Sequence, residues 1–204
     1  MNIIVSSPWK RGLVAAAALV LLGPGAPSRA DSQQVVAVLD FNDAKLREVG
    51  ANAQNNLLDM LTTSISNGTG IKVVDKESVA RIKVKETAYQ QSGFADPKAA
   101  LTFTKELKAN FVVVGAVSQA SKEEREVVGI TRIKLTVGVE IKAMDDKTGQ
   151  IVASASGVGE ANTTAVPEEG AEATDLSGLY VKAARKAIEQ AGPDLAKKIQ
   201  GLKK

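Results

Sequence analysis

Two uninterrupted apolar runs, VVAVLDF at 35–41 and FVVVGAV at 111–117, constrain the fold of this chain more than anything else in its sequence. A strand with one face in water alternates apolar and polar residues; a run without alternation reads as a strand buried on both faces. Two such strands call for a sheet with helices on both sides, and the intervening sequence supplies them. Leu46, Val49, Ala53, Leu57, Leu61 and Ile65 recur near helical spacing, so one helix is expected over about 44–66, capped by Asn42 or Asp43. SNGTG at 66–70 ends it, and IKVVD at 71–75 reads as a second short strand. Ser78 caps a helix reaching about residue 90, and Pro97 suits the first turn of another ending near 108.

Beyond the second apolar run the pattern changes. Ile133, Leu135, Val137, Val139, Ile141 and Ala143 alternate with Lys134, Thr136, Gly138, Glu140 and Lys142, the signature of a longer, half-solvated strand. Residues 150–159 are expected to pair back against it. The segment 160–175 holds five acids and no base and reads as an acidic loop. A final helix over about 176–191 places Leu179, Ala183, Ala187, Ile188 and Ala191 on one face. Gly192-Pro193 interrupts it before a basic last turn, whose lysines are expected to stay in water. The order is β-α-β-α-α-β-β-β-α. It predicts an α/β fold over 31–204: a single, three-layer-like domain with a mixed sheet, parallel early strands and an antiparallel C-terminal hairpin.

The first 30 residues stand apart. Lys10 and Arg11 precede the apolar run at 13–22, and GPGAPSRA then places Ser28 and Ala30 at the −3 and −1 positions of a cleavage site. This is the pattern of a secretory signal peptide, cut between Ala30 and Asp31. Ten apolar residues fall short of the roughly 20 that a spanning helix needs, and no later segment approaches that length. The expected location is the periplasm, peripheral to the outer membrane at most, with no transmembrane segment after cleavage. Three of the 26 Lys and Arg lie in the leader and none of the 23 Asp and Glu does, so the exported chain is formally neutral. A neutral chain offers no electrostatic footprint for nucleic acid.

Missing residue types narrow the chemistry. Without Cys there is no disulfide, thiolate nucleophile or acylated lipoprotein cysteine; without His there is no Ser-His-Asp triad and no imidazole ligand. No phosphate-binding loop occurs, since GVGEAN at 157–162 lacks the required spacing. Asp40, Asn42 and Asp43 end the first strand and Asp75 the second, an edge where α/β sheets bind ligands and where clustered acids can hold Mg²⁺. Helix capping accounts for the same residues. Asp146-Lys147-Thr148-Gly149 matches the phosphorylated loop of cation-pumping ATPases, but the many membrane spans and the nucleotide-binding domain of such a pump are missing. Asp145, Asp146, Thr148 and Gly149 read instead as the turn of a hairpin. KEERE at 122–126 reads as a solvated turn.

Several of these features, taken in order, resemble the CsgG-like family, named for the curli secretion protein. They are VAVLDF, then LLDMLTTSI on the long helix, then IKVVDKESVARIKVKE with Glu86, then TKELKANFVVVGAV with Gly115, and last KTGQIV before a helix rich in Ala and Leu. The match covers most of residues 33–200. It departs from the curli protein in having no Cys to acylate. The positions of the two pore hairpins, after Val117 and after Ala155, carry only a charged run and the acidic loop. Beyond Val117 the only aromatic residue is Tyr180, whereas membrane barrels carry aromatic girdles. The resemblance implies a periplasmic module without the pore: a non-enzymatic protein acting through contacts with envelope or secretion proteins, or with itself as a homo-oligomer, and holding no cofactor. Two other readings share the layout or the residues. One is an LpoB/TolB-like regulator of cell-wall or envelope machinery; the other is a Mg²⁺-dependent, phosphate-handling enzyme using Asp40, Asp43 and Asp75.

Overall fold

A computed structural model describes residues 33–48, 51, 53–67, 70–85, 97–165 and 176–202. The leader with Ala30 and Asp31, Glu86 and most of the acidic loop lie outside the described residues. The elements are β1 (Val35–Asn42), α1 (Ala44–Glu48), α2 (Gln54–Ser66), β2 (Lys72–Val73), α3 (Lys76–Lys85), α4 (Pro97–Leu107), β3 (Phe111–Val127), β4 (Ile130–Asp145), β5 (Ile151–Ala165) and α5 (Ser177–Gly201). They build the mixed α/β domain expected from the sequence. Five strands lie in the order β2-β1-β3-β4-β5, with β1 parallel to β2 and β3, and β3, β4 and β5 successively antiparallel.

The two apolar runs are the sheet's centre. On one face Val36, Val38, Phe41, Phe111 and Val113 join the main core under α2 and α5; on the other, Ala37, Leu39, Val112 and Val114 meet Val79 and Ile82 of α3. A bulge between Val38 and Asp40 brings Phe41 back to the main-core face, where its ring lies over Gly115. A Cβ on Gly115 would stand 2.5 Å from that ring. The alternating strand β4 turns Ile133, Leu135, Val137, Val139 and Ile141 towards α5 and leaves Lys134, Thr136 and Glu140 on the outer face.

Local structure departs from the sequence expectation at five places; one is the start of α3, which begins at Lys76 and is capped by Asp75 rather than by Ser78. The helix expected over 44–66 is two helices. Asp43, only 1 % exposed, accepts hydrogen bonds from the Ala53 and Gln54 amides at 3.2 and 3.1 Å, so its carboxylate starts α2 afresh. The second strand is shorter than 71–75, because only Lys72 and Val73 pair with β1. KEERE is not a turn: β3 runs through it to Val127, paired residue for residue with β4, and 160–165 belong to β5 rather than to the acidic loop. Last, α5 continues past Pro193 to Gly201. An interior proline costs about 3 kcal/mol, but Leu195 and Ile199 beyond it are fully buried, at about 1.5–3 kcal/mol each. Packing outweighs the break.

The contact between β5 and α5 is made almost without side chains. Ala153, Ala155, Gly157, Gly159 and Ala161 face the helix, and Ala183, Ala187 and Ala191 face the strand. A Cβ on Gly159 would overlap the Ala183 carbonyl oxygen and stand 2.7 Å from the Ala187 amide; one on Gly157 would overlap the Ala187 carbonyl. Backbone, not a movable side chain, is in the way. Gly159→Ala is therefore expected to destabilise by about 1–3 kcal/mol or more, as overpacking does. Ser156→Ala on the outer face should stay within about 0.5 kcal/mol. Equilibrium denaturation of both variants checks the contrast.

Candidate functional site

The strand-end acids come first, because a metal reading depends on them. Asp40 accepts the Phe41 amide at 2.8 Å and the Gln54 amide nitrogen Nε2 at 3.0 Å. Asp43 caps α2 through Oδ2, and its Oδ1 pairs with Arg47 Nε at 3.0 Å. Asn42 Oδ1 accepts the Ala44 amide, the cap of α1. Asp75 caps α3, accepting the Ser78 amide and the Ser78 hydroxyl at 2.7 Å each. Among the described residues no three acidic side chains converge on one metal-sized position. Asp43 and Asp75 sit at helix starts, turned towards the amides they cap, while Asp40 stays in β1, held by the Phe41 amide and the Gln54 side chain.

The turn between β4 and β5 is organised by Asp145. Its Oδ1 accepts the amides of Lys147 and Thr148 at 2.8 and 3.1 Å, and its carbonyl accepts the Gly149 amide at 2.9 Å. Gly149 takes φ +66°, a conformation in which a side chain is costly. The Thr148 hydroxyl accepts the Gln150 amide, which closes the reversal. The Asp146 amide donates to the Asn110 carbonyl at 3.0 Å, and Asn110 Oδ1 accepts the Val35 amide at 2.9 Å. Asn110 thus ties the turn to β1, a role its place before an apolar strand does not disclose.

The β3–β4–β5 ribbon runs on beyond the part of the sheet that packs against α3 and α4. Cross-strand rows stack on its outer face: Glu123 with Lys134 and Asn162, Arg125 with Arg132 and Thr164. Arg125, Arg132, Lys134, Asn162 and Thr164 line an open concavity of about 800 Å³. Lys134 Nζ reaches Glu160 at 2.7 Å, and that hydrogen bond raises the ammonium pKa. The row Gly138–Val158 lies farther along, with Val158 half exposed. On the inner face Tyr180 of α5 is buried against the ribbon. Burial pushes its phenol above the usual value, and the nearby Lys122 ammonium pulls weakly the other way.

No family model matches the chain, and no curated protein does. Solved structures show a loose likeness. The LpoB C-terminal domain from Salmonella enterica is 16% identical with a TM-score of 0.43, covering 64% of this chain and 85% of its own. The lipoprotein GNA1162 from Neisseria meningitidis is 12% identical with a TM-score of 0.45, covering 72% and 92%. A PelC dodecamer from Paraburkholderia phytofirmans is 16% identical with a TM-score of 0.38, covering 81% and 93%. These findings correct the resemblance to the CsgG-like family and the curli assembly and secretion role it implied: no model of such a family matches, and these neighbours are not the curli protein. The physical reason lies in the motifs. VAVLDF is an interior strand with its bulge, Gly115 makes room for Phe41, and KTGQIV is a turn entering an edge strand. Any chain with this layout needs residues of these kinds there.

Two pH dependences follow. Hydrogen bonds from the Ser78 hydroxyl and amide hold the Asp75 pKa below its ordinary 3.8. A depressed carboxylate stabilises the fold above its unfolded pKa and loses that contribution as pH falls through the folded one. Ser78→Ala should therefore lower Tm at neutral pH, with the gap to wild type closing below about pH 3.8. Tyr180 runs in the opposite direction: its raised pKa gives stability that is complete below about 10 and lost above it. Tyr180→Phe should remove that alkaline loss, as Tm measured against pH will show.

Proposed function

We propose that this chain is an exported, non-enzymatic cell-envelope protein that works by protein contact, as a regulator of cell-wall or envelope machinery. The observation that carries it is the outer face of β4 and β5. Helices α3 and α4 cover β1 and the first half of β3, whereas Thr136, Glu140 and Lys142 of β4, with Ser154, Ser156 and Val158 of β5, have no layer over them among the described residues. The face is mostly polar, with Val158 half exposed beside Gly138 near its middle and the Gln119 and Ser118 side chains lying against that glycine, so an apolar contact is ringed by polar groups. The leader pattern supports export, and no helix among the described residues is long and apolar enough to cross a membrane. The capping roles of Asp43 and Asp75, and the local hydrogen bonds that hold Asp40, support a non-catalytic protein. With the secretion role withdrawn, the regulator reading remains, and a homo-oligomer is one form its contacts can take.

The test joins native mass measurement to affinity capture from an envelope fraction. Wild type is expected to hold a partner protein or a second copy. Val158→Glu should weaken capture about tenfold, the effect of a residue worth about 1.4 kcal/mol at an interface, with little change in Tm. A lone monomer that captures nothing would sink the proposal. Added Mg²⁺ is expected to leave Tm unmoved; a rise would revive the metal-dependent enzyme, because binding the folded state stabilises it.

A further inference from the structure

The end of the β3–β4 hairpin carries a feature that neither the fold nor the proposed contact face requires. Val127 pairs with Ile130, so the reversal consists of two residues, Val128 and Gly129, at φ +51° and +72°. Two positive φ angles in a two-residue loop define a type I′ turn, whose first position favours Asn, Asp or Gly. A β-branched valine is among the poorest choices there. Val128 is also 96% exposed, with Val127 at 45% and Ile130 at 41%. An isolated exposed apolar residue needs no explanation. Three of them at a projecting tip, one in a strained backbone conformation, indicate a function bought with stability.

The residues behind the tip show what it meets. Arg125 stands directly opposite Arg132, two residues back on the same face as Val127 and Ile130. Like charges opposite each other destabilise a ribbon, and Glu123 approaches Arg125 only to 4.0 Å. Lys134, one row further back, is taken up by Glu160. The opposite face near the tip carries Glu124 and Glu126, with Lys122 paired to Glu124 at 2.5 Å. The tip is therefore apolar at its end, cationic behind it on one face and acidic on the other. At about 3.4 Å per residue, the arginine pair lies roughly 7 Å behind Val127 and Ile130. Apolar groups that lie in a membrane interface are buried about 5–10 Å into the headgroup–acyl boundary. A tip inserted to that depth would bring both arginines to the level of headgroup phosphates.

We propose that this hairpin tip docks on an anionic lipid surface: Val127, Val128 and Ile130 enter the interface while Arg125 and Arg132 bind headgroup phosphates, the acidic face tilted away. This goes beyond the protein-contact reading and does not depend on it. The experiment is sedimentation of the leader-free chain with mixed phosphatidylglycerol–phosphatidylcholine vesicles and with phosphatidylcholine vesicles alone. Wild type should pellet with the anionic vesicles at low salt and be released at high salt. Val128→Asn is the decisive variant: Asn-Gly suits a type I′ turn, so Tm should hold or rise while binding falls about tenfold. Val128→Leu should keep binding, and Arg125→Gln with Arg132→Gln should remove the preference for anionic lipid. Wild type remaining in the supernatant, equal binding by Val128→Asn, or binding indifferent to phosphatidylglycerol would each overturn the proposal. So would a Val128→Asn variant that loses a captured protein while neither form binds vesicles, since the tip would then fill a protein pocket.

Discussion

The structure depends on a helix and a strand that meet with almost no side chains between them. Gly157 and Gly159 of β5 lie against the backbone of α5 at Ala183 and Ala187. This close approach lets one helix cover the inner faces of both β4 and β5, because a layer of ordinary width there would lift it off the β4 side chains. Tyr180, Ile188, Leu195 and Ile199 then reach the same core as Leu135, Val137 and Ile141. A single helix suffices for half the sheet. The other half takes two helical layers, which is why β1 and the first part of β3 are apolar on both faces while β4 alternates.

That division explains most of what could be read from the sequence. Unbroken apolar runs mark the strands between helical layers, and strict alternation marks the strand with one face in water. The turn at Asp145–Gly149 was legible because its residues carry local chemistry: an Asx-type carboxylate, a hydroxyl and a glycine at positive φ. The misplaced boundaries all depend on distant partners. Asp43 starts α2 from ten residues away, β4 turns a charged run into a strand, and the core holds α5 together across Pro193. Local propensity describes a segment by itself, and tertiary contacts decide such cases.

The candidate surface was less visible than the fold. Sequence inspection goes to acids and glycines, and here both serve the backbone: the acids cap helices and the glycines admit close packing or turns. The arginine pair and the tip residues become noticeable only in register, since Arg125 and Arg132 oppose each other by pairing rather than by proximity in sequence. The strain at Val128 needs a backbone angle to be seen. The ordered motifs suggested a family for a related reason. Here each motif meets a local need of the layout, a strand, a turn or room for a ring, and such needs fix a topology without fixing a function.

The sheet's two edges limit how the protein can meet others. A 15-residue edge strand such as β5 offers a row of unpaired backbone groups to any passing strand. Here α5 reaches over that edge. Lys198 Nζ donates to the Ser154 carbonyl and Lys186 Nζ to the Glu160 carbonyl, both at 2.8 Å, and Gln190 Oε1 accepts the Val158 amide at 3.3 Å. The register shift between Ala143 and Met144 further disturbs the edge near its start. At the opposite end β2 pairs over only two residues, too short a template to recruit a partner strand. Strand addition is thus blocked at one edge by side chains and at the other by length. Among the described residues the outer face of β4 and β5 and the hairpin tip have no layer over them, and both offer side-chain contacts. Contacts of that kind can be specific and reversible, where an open edge would invite aggregation.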